Sequence, residues 1–182
     1  LAGDTRMLSF LAGVHKCWPD FELNIDKNLS ISFGQNYYLH GANGSGKSSF
    51  IKRILLPALQ QNHDHAYSLY LQQHFHLQAY LIKAEAALWN PELRPKTMSD
   101  CLTYLLRNLE KAQKFNPKPV IIVADESPLL DNLIHYLQSC KQPNSLVYSV
   151  HGKHSQPDNL NTILFEPLSP KESKVRCLFT QR

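Results

Sequence analysis

The stretch Tyr37-Tyr38-Leu39-His40-Gly41-Ala42-Asn43-Gly44-Ser45-Gly46-Lys47-Ser48-Ser49-Phe50-Ile51 runs from a short strand-like segment through three glycines into a helical pattern. Gly41 to Ser48 matches the pattern Gly-x4-Gly-Lys-[Ser/Thr], a loop that wraps phosphate. Glycines let the backbone curl until successive N–H groups face one anion, and the helix that follows adds the positive end of its dipole. Lys47 is placed to reach the β- and γ-phosphates of a nucleotide, and the Ser48 hydroxyl to ligate Mg²⁺. The bland alternative is a glycine-rich turn before a helix with Lys47 simply exposed. It does not explain why a strand precedes the loop and a helix follows it.

Outward from the loop, strand-like and helix-like stretches alternate, the pattern of an α/β domain around a central sheet. Met7 to Val14 and Phe21 to Phe33 read as strands, then Tyr37 to His40. From Lys47 the apolar residues Phe50, Ile51, Ile54, Leu55, Ala58 and Leu59 recur at helical spacing, with Pro57 expected to end or bend the helix. Tyr67 to Leu71 reads as a strand, Ser99 to Phe115 as an amphipathic helix, and Asn90-Pro91 to Arg94-Pro95 as irregular. Val120 to Ala124 is a continuous β-branched run, expected of a parallel strand buried on both faces. A helix carrying Leu130, Leu133, Ile134 and Leu137 follows, then strands at Ser145 to Val150, Thr162 to Phe165 and Val175 to Phe179.

The buried strand delivers Asp125-Glu126. A carboxylate at such a strand end beside a phosphate loop suits Mg²⁺, and a second suits the water that attacks phosphate. Two acids capping the helix opened by Ser127-Pro128 would look similar.

With these residues in order, the chain resembles the ATP-binding cassette (ABC) ATPases. Asn43-Gly44-Ser45-Gly46-Lys47-Ser48 is similar to that family's phosphate loop, and Phe33-Gly34-Gln35 to the turn before it. The resemblance implies an α/β P-loop NTPase fold with a mostly parallel sheet, an N-terminal antiparallel β portion and a reduced helical subdomain. It implies ATP and Mg²⁺, bound by Gly41, Asn43, Gly44, Ser45, Gly46, Lys47, Ser48 and Ser49. Trp18 would stack on adenine; Asp125 and Ser48, with Gln73, would hold the metal. Glu126 would be the catalytic glutamate, His151 the switch histidine that contacts the γ-phosphate, and Leu130-Asp131 the D-loop. Gln73 resembles the Q-loop glutamine, with Gln72 nearly as good. The departures are a short span between phosphate loop and Asp125, Ser127 in place of a proline, and Met98-Ser99-Asp100-Cys101-Leu102 where Leu-Ser-Gly-Gly-Gln is expected. The family's long coiled-coil branch has no room here.

The resemblance further implies an ATP-hydrolysing subunit that dimerises through a nucleotide sandwich, with itself or a fuller homologue, and works with a membrane-embedded permease. Tyr70 to Leu88, carrying Phe75, Leu77, Tyr80, Leu81 and Leu88, is either its coupling surface or plain core. A small P-loop kinase and a nucleotide-binding scaffold with little hydrolysis are the alternatives. A kinase generally covers its phosphoryl group with an arginine-bearing lid, and Arg53, Arg94 and Arg107 do not outline one.

Composition sets the outer bounds. The 182 residues, 43% hydrophobic and 19% charged, are read as one globular domain over 1–182. Residues 1–6 precede the first methionine, Met7, and read as a processed or added end. A net charge of +4 is too mild to call for nucleic acid. The apolar runs fall far short of a membrane span, and the opening residues do not read as an export leader. A cytoplasmic protein, peripheral at the inner face of a membrane, is expected. Cys17, Cys101, Cys140 and Cys177 are dispersed and read as reduced thiols. His63-Asp64-His65 and His74-Phe75-His76 could in principle hold a metal. Lys171, Lys174, Arg176 and Arg182 read as a solvated basic end.

Overall fold

The computed structural model describes residues 7–140 and 144–178. Strands β2 (Gly13–Trp18), β3 (Phe21–Ile25), β5 (Asn36–His40), β6 (Tyr67–Leu71), β7 (Val120–Asp125), β8 (Asn144–Ser149), β9 (Leu160–Ser169) and β10 (Glu172–Leu178) form one sheet. Its order is β2-β3-β10-β9-β5-β8-β7-β6. From β9 to β6 every neighbouring pair is parallel. β10 pairs antiparallel with β9 and parallel with β3, and the β2–β3 hairpin closes the far end. β1 (Met7–Phe10) and β4 (Leu29–Ser32) form a separate antiparallel pair.

Side-chain alternation divides the core between the two faces of the sheet. Tyr37, Leu39, Ile121 and Val123 join the cluster under the phosphate-loop helix, while Val120, Ile122, Ala124 and Tyr148 join the other. All six residues of β7 are buried, which explains its unbroken apolar run.

The two long N-terminal strands expected from sequence are each broken. Met7 to Val14 divides into β1 and β2, and Phe21 to Phe33 into β3 and β4. Gly13 sits at φ +123°, and the Asn28 side-chain carbonyl accepts the Ala12 N–H at 2.8 Å. That one bond ties the two breaks together, so each stretch serves two sheets.

Helix α1 (Lys47–Phe50) passes through a π-helical turn (Ile51–Leu55) into α2 (Leu56–Gln61). Pro57 therefore does not end the helix. It has no N–H and its ring crowds the preceding turn; the wider π turn sits immediately ahead of it. Helix α3 (Phe75–Trp89) was not expected. It buries Phe75, Ala79, Ile82 and Ala86, while Leu77, Tyr80, Leu81 and Leu88 stand exposed. Apolar residues on both sides erase the periodic signal that marks a surface helix. In the Tyr70–Leu88 segment, then, Phe75 is core and the other four are surface.

Helix α4 (Met98–Phe115) begins where the altered signature stands. The Asp100 carboxylate accepts N–H bonds from Lys96 and Thr97, both at 3.0 Å, and the Thr97 hydroxyl accepts the Asp100 N–H. This is a capping box, and Cys101 and Leu102 behind it are buried. The two backbone N–H groups hold the Asp100 carboxyl below its ordinary 3.8. A depressed carboxyl lends stability that is complete above its unfolded value and lost as pH falls through the folded one. Thr97→Ala is expected to cost ~1 kcal/mol, lowering the melting temperature by roughly 2–4 °C. Asp100→Asn should be less stable than wild type at pH 7, with the difference fading below pH 3.8; urea midpoints at both pH values check this.

Helix α5 (Leu130–Ser139) starts after Ser127, whose Oγ accepts the Leu129 N–H at 3.2 Å. Leu130 is buried and Asp131 exposed in its first turn. The basic end is partly paired, Lys174 with Asp26 and Arg176 with Glu166; Phe179 and Arg182 lie outside the described residues. Cys17, Cys101, Cys140 and Cys177 are free thiols. Among the described residues no His, Cys, Asp and Glu cluster could hold a metal ion, and no helix is long and apolar enough to cross a membrane.

Candidate functional site

The carboxyl ends of β5, β7 and β8 meet where β8 has inserted between the other two. In open α/β sheets, ligands bind outside these strand ends where the order of connection reverses. β5 feeds the loop from Gly41, β7 ends on Asp125, and β8 ends on Ser149, two residues before His151.

Gly44 and Gly46 adopt φ +76° and +99°, and the loop depends on both. Gly46 is also in close contact: a Cβ there would lie 2.7 Å from Leu23 Cδ2 and 2.9 Å from Phe21 Cε1. Gly46→Ala is therefore expected to cost at least ~1–2 kcal/mol from backbone strain alone. It should displace Phe21 as well, which a denaturation midpoint and a nucleotide titration would both register. At Gly41 a Cβ would lie 2.6 Å from Ser45 Oγ and 2.8 Å from the Phe165 carbonyl oxygen.

Lys47 is 8% exposed, and its Nζ donates to the Gly41 carbonyl at 2.6 Å, holding the ammonium inside the loop. The buried Ser45 Oγ has no hydrogen-bond partner among the described residues. Ser48 Oγ donates to Asp125 Oδ1 at 3.2 Å, and Ser149 Oγ donates to the same oxygen at 3.1 Å. Tyr70 closes this group from β6. Burial raises its hydroxyl pKa to about 12, and the Asp125 carboxylate beside it adds to the shift.

Glu126 has φ +49°, left-handed backbone that a residue with a Cβ adopts at a cost. Its N–H donates to the Ser149 carbonyl at 3.0 Å, anchoring the bend to β8. The bend turns the side chain, 17% exposed, onto a cavity of about 220 Å³ shared with Asn43, Gly44, Lys47, Ser48 and Phe21. Its Oε1 lies 2.8 Å from His151 Nε2.

The structure thus brings Gly41, Asn43, Gly44, Ser45, Gly46, Lys47, Ser48, Asp125, Glu126 and His151 into one neighbourhood. Ser49 lines the cavity, and its hydroxyl accepts the Trp18 indole N–H at 2.9 Å. Trp18 itself does not line the cavity, and the Arg53 guanidinium covers its ring at 3.8 Å. Phe21 is the aromatic side chain at the loop. Gln72 and Gln73 are exposed just past β6, and neither lines the cavity. Sequence reading missed Phe21, Tyr70 and Ser149. Ser149 carried the clearest signal, a hydroxyl closing an apolar strand beside a candidate switch residue.

No family model matches this sequence, and no curated protein matches it. Solved structures do. Over 92% of its length the chain superposes on cbiO1 from Clostridium perfringens, part of the ABC transporter complex cbiONQ, covering 86% of that chain at 11% identity with a TM-score of 0.52. It superposes on the archaeal ribosome recycling factor aABCE1, solved with the ribosomal stalk protein aP1, at 14% identity and a TM-score of 0.51, covering 92% of this chain and 38% of that one. The Aeropyrum pernix ORC1 protein, solved with DNA, matches over 64% of this chain at 19% identity and a TM-score of 0.43. The fold is that of a P-loop NTPase. The chain spans only 33% of the ORC1 chain's length.

Proposed function

We propose that this chain binds Mg·ATP at the Gly41–Ser48 loop and hydrolyses it. The observation that carries the reading is Glu126. A glutamate held at φ +49°, aimed at the loop's cavity and paired with His151, bears a conformational cost that capping a helix does not require.

The residues present fit both groups. The Ser45 hydroxyl, unpartnered among the described residues, and the open space at Gly44 belong to a cradle for anionic oxygens. Ser48 Oγ and Asp125 Oδ1 are hard oxygen donors, the kind Mg²⁺ takes alongside water and phosphate. Mg²⁺ held there would supply charge neutralisation to the phosphates. Lys47 holds the phosphates by charge, and Ser149 and Tyr70 fix the Asp125 carboxylate. Glu126 orients a water and takes its proton as the water oxygen bonds to the γ-phosphorus and the bond to the ADP oxygen breaks. His151 keeps the Glu126 carboxylate in position.

The wider reading is an ABC-type subunit that sandwiches ATP with a second copy or a fuller homologue and serves a membrane-embedded permease. The likeness of its fold to cbiO1 supports it. A second reading, a nucleotide-binding scaffold with little turnover, is favoured by Asp100, whose carboxylate is committed to the helix cap. Calorimetry with Mg·ATP and a phosphate-release assay separate the two: binding with release supports hydrolysis, binding without release the scaffold. Absence of binding removes both.

A further inference from the structure

His151 leaves the sheet on a loop, residues 150–159, that holds neither helix nor strand. Its side chain is 55% exposed, so packing alone does not keep its Nε2 against Glu126. Gly152 follows at φ +80°, and a Cβ there would meet nothing within 4 Å, so the turn itself grips nothing. What ties the loop down is His154. Its Nε2 lies 3.0 Å from the Tyr148 hydroxyl, and its Nδ1 lies 3.4 Å from the Gly152 carbonyl oxygen. A carbonyl only accepts, so in the neutral ring Nδ1 carries the proton and Nε2 accepts the Tyr148 O–H. The ring also stands against Tyr38 and Tyr148, with centroids 5.1 and 5.3 Å away. Those two tyrosines lie side by side on β5 and β8 and stack on each other at 5.3 Å. Tyr148 is wholly buried, and a buried phenol needs a partner for its hydroxyl. The path is short and continuous: β8 carries Tyr148, Tyr148 holds His154, His154 holds the Gly152 carbonyl, and Gly152 is bonded to His151.

We infer that His154 is a positioning residue: it clamps the loop to the Tyr38–Tyr148 pair and so holds His151 Nε2 at 2.8 Å from Glu126 Oε1. The inference rests on the reading that Glu126 activates water for hydrolysis. A reacting group displaced by about an ångström loses ~10²-fold in rate. His154 is not among the residues lining the phosphate-loop cavity, so the clamp acts on turnover and not on nucleotide affinity.

The test takes two readouts on the whole chain. Phosphate release reads turnover, and backbone ¹⁵N order parameters of residues 150–153 in the nucleotide-free protein read the loop. Wild type should give order parameters of about 0.85, and His154→Ala should drop them below about 0.6. The same variant should lose about 10- to 100-fold in kcat, with KM within about twofold of wild type. His154→Gln, whose side-chain carbonyl can accept the Tyr148 proton, should restore most of both. Tyr148→Phe joined to His154→Ala leaves no buried hydroxyl without a partner, so that protein should fold yet stay slow, with a mobile loop. In a His151→Ala background, His154→Ala should cost nothing further in kcat, because it acts through His151. A rigid loop in His154→Ala, wild-type turnover in the Tyr148→Phe, His154→Ala protein, or a further loss in the His151→Ala background overturns the inference. Wild type that binds Mg·ATP without releasing phosphate removes the hydrolysis reading instead, and the order parameters alone then decide the clamp.

Discussion

Lys47→Ala is expected to weaken Mg·ATP binding by about 10- to 150-fold, the loss of one charge-assisted contact worth ~1.5–3 kcal/mol. The geometry explains why no neighbour can substitute. Lys47 is 8% exposed and its Nζ rests on the Gly41 carbonyl 2.6 Å away, inside the curl of the loop. Lys52 and Arg53 lie on later turns, and Arg53 is engaged over Trp18. Lys47→Arg should fail nearly as badly, because a planar guanidinium does not replace a compact ammonium in so close a space. Calorimetry gives the affinities and thermal melting gives a second reading. At 100-fold excess over the dissociation constant, bound nucleotide stabilises wild type by ~2.7 kcal/mol, a rise of roughly 5–10 °C in melting temperature that the variant should lack. Equal affinities would remove the phosphate-loop assignment and every role built on it.

How far the sequence could be read depended on whether local pattern and tertiary role agreed. β7 was legible because burial on both faces produces a continuous apolar run and its end places Asp125. The loop was legible because its glycines answer to backbone geometry, as φ +99° at Gly46 shows. Helix α3 was not: Leu77, Tyr80, Leu81 and Leu88 face outward opposite Phe75, Ala79, Ile82 and Ala86, so no polar face marks the period. The broken N-terminal strands depend on one long-range bond, Ala12 N–H to Asn28, which no local window contains. Trp18 and Phe21 are both aromatic and three residues apart. Only the β2–β3 register, with Trp18 opposite Phe21, and the packing of Arg53 decide which of them reaches the cavity. At Asp100 the sequence showed that the glycines were lost; the structure shows the carboxylate put to use as a cap.

Two substitutions at Glu126 should each abolish or sharply lower turnover, and only the glycine one should raise stability. Glu126→Gln keeps the side chain's shape but removes the carboxylate proposed to take a proton from water. Turnover should fall by about 10²- to 10⁴-fold, the range of general-base catalysis, with Mg·ATP affinity within a few-fold of wild type. Glu126→Gly should abolish turnover too, yet raise stability by ~1 kcal/mol, because glycine adopts φ +49° without the penalty of a Cβ. The contact with His151 partly offsets that gain, but the histidine side is 55% exposed and such pairs add little. If Glu126 served only to cap the next helix, the glycine variant would be no more stable than wild type and the glutamine variant would hydrolyse normally. Chemical denaturation and phosphate release on the same two proteins decide it. A more stable, inactive glycine variant beside a nucleotide-binding, inactive glutamine variant would mean that the strained backbone at Glu126 is retained for the carboxylate it aims at the loop.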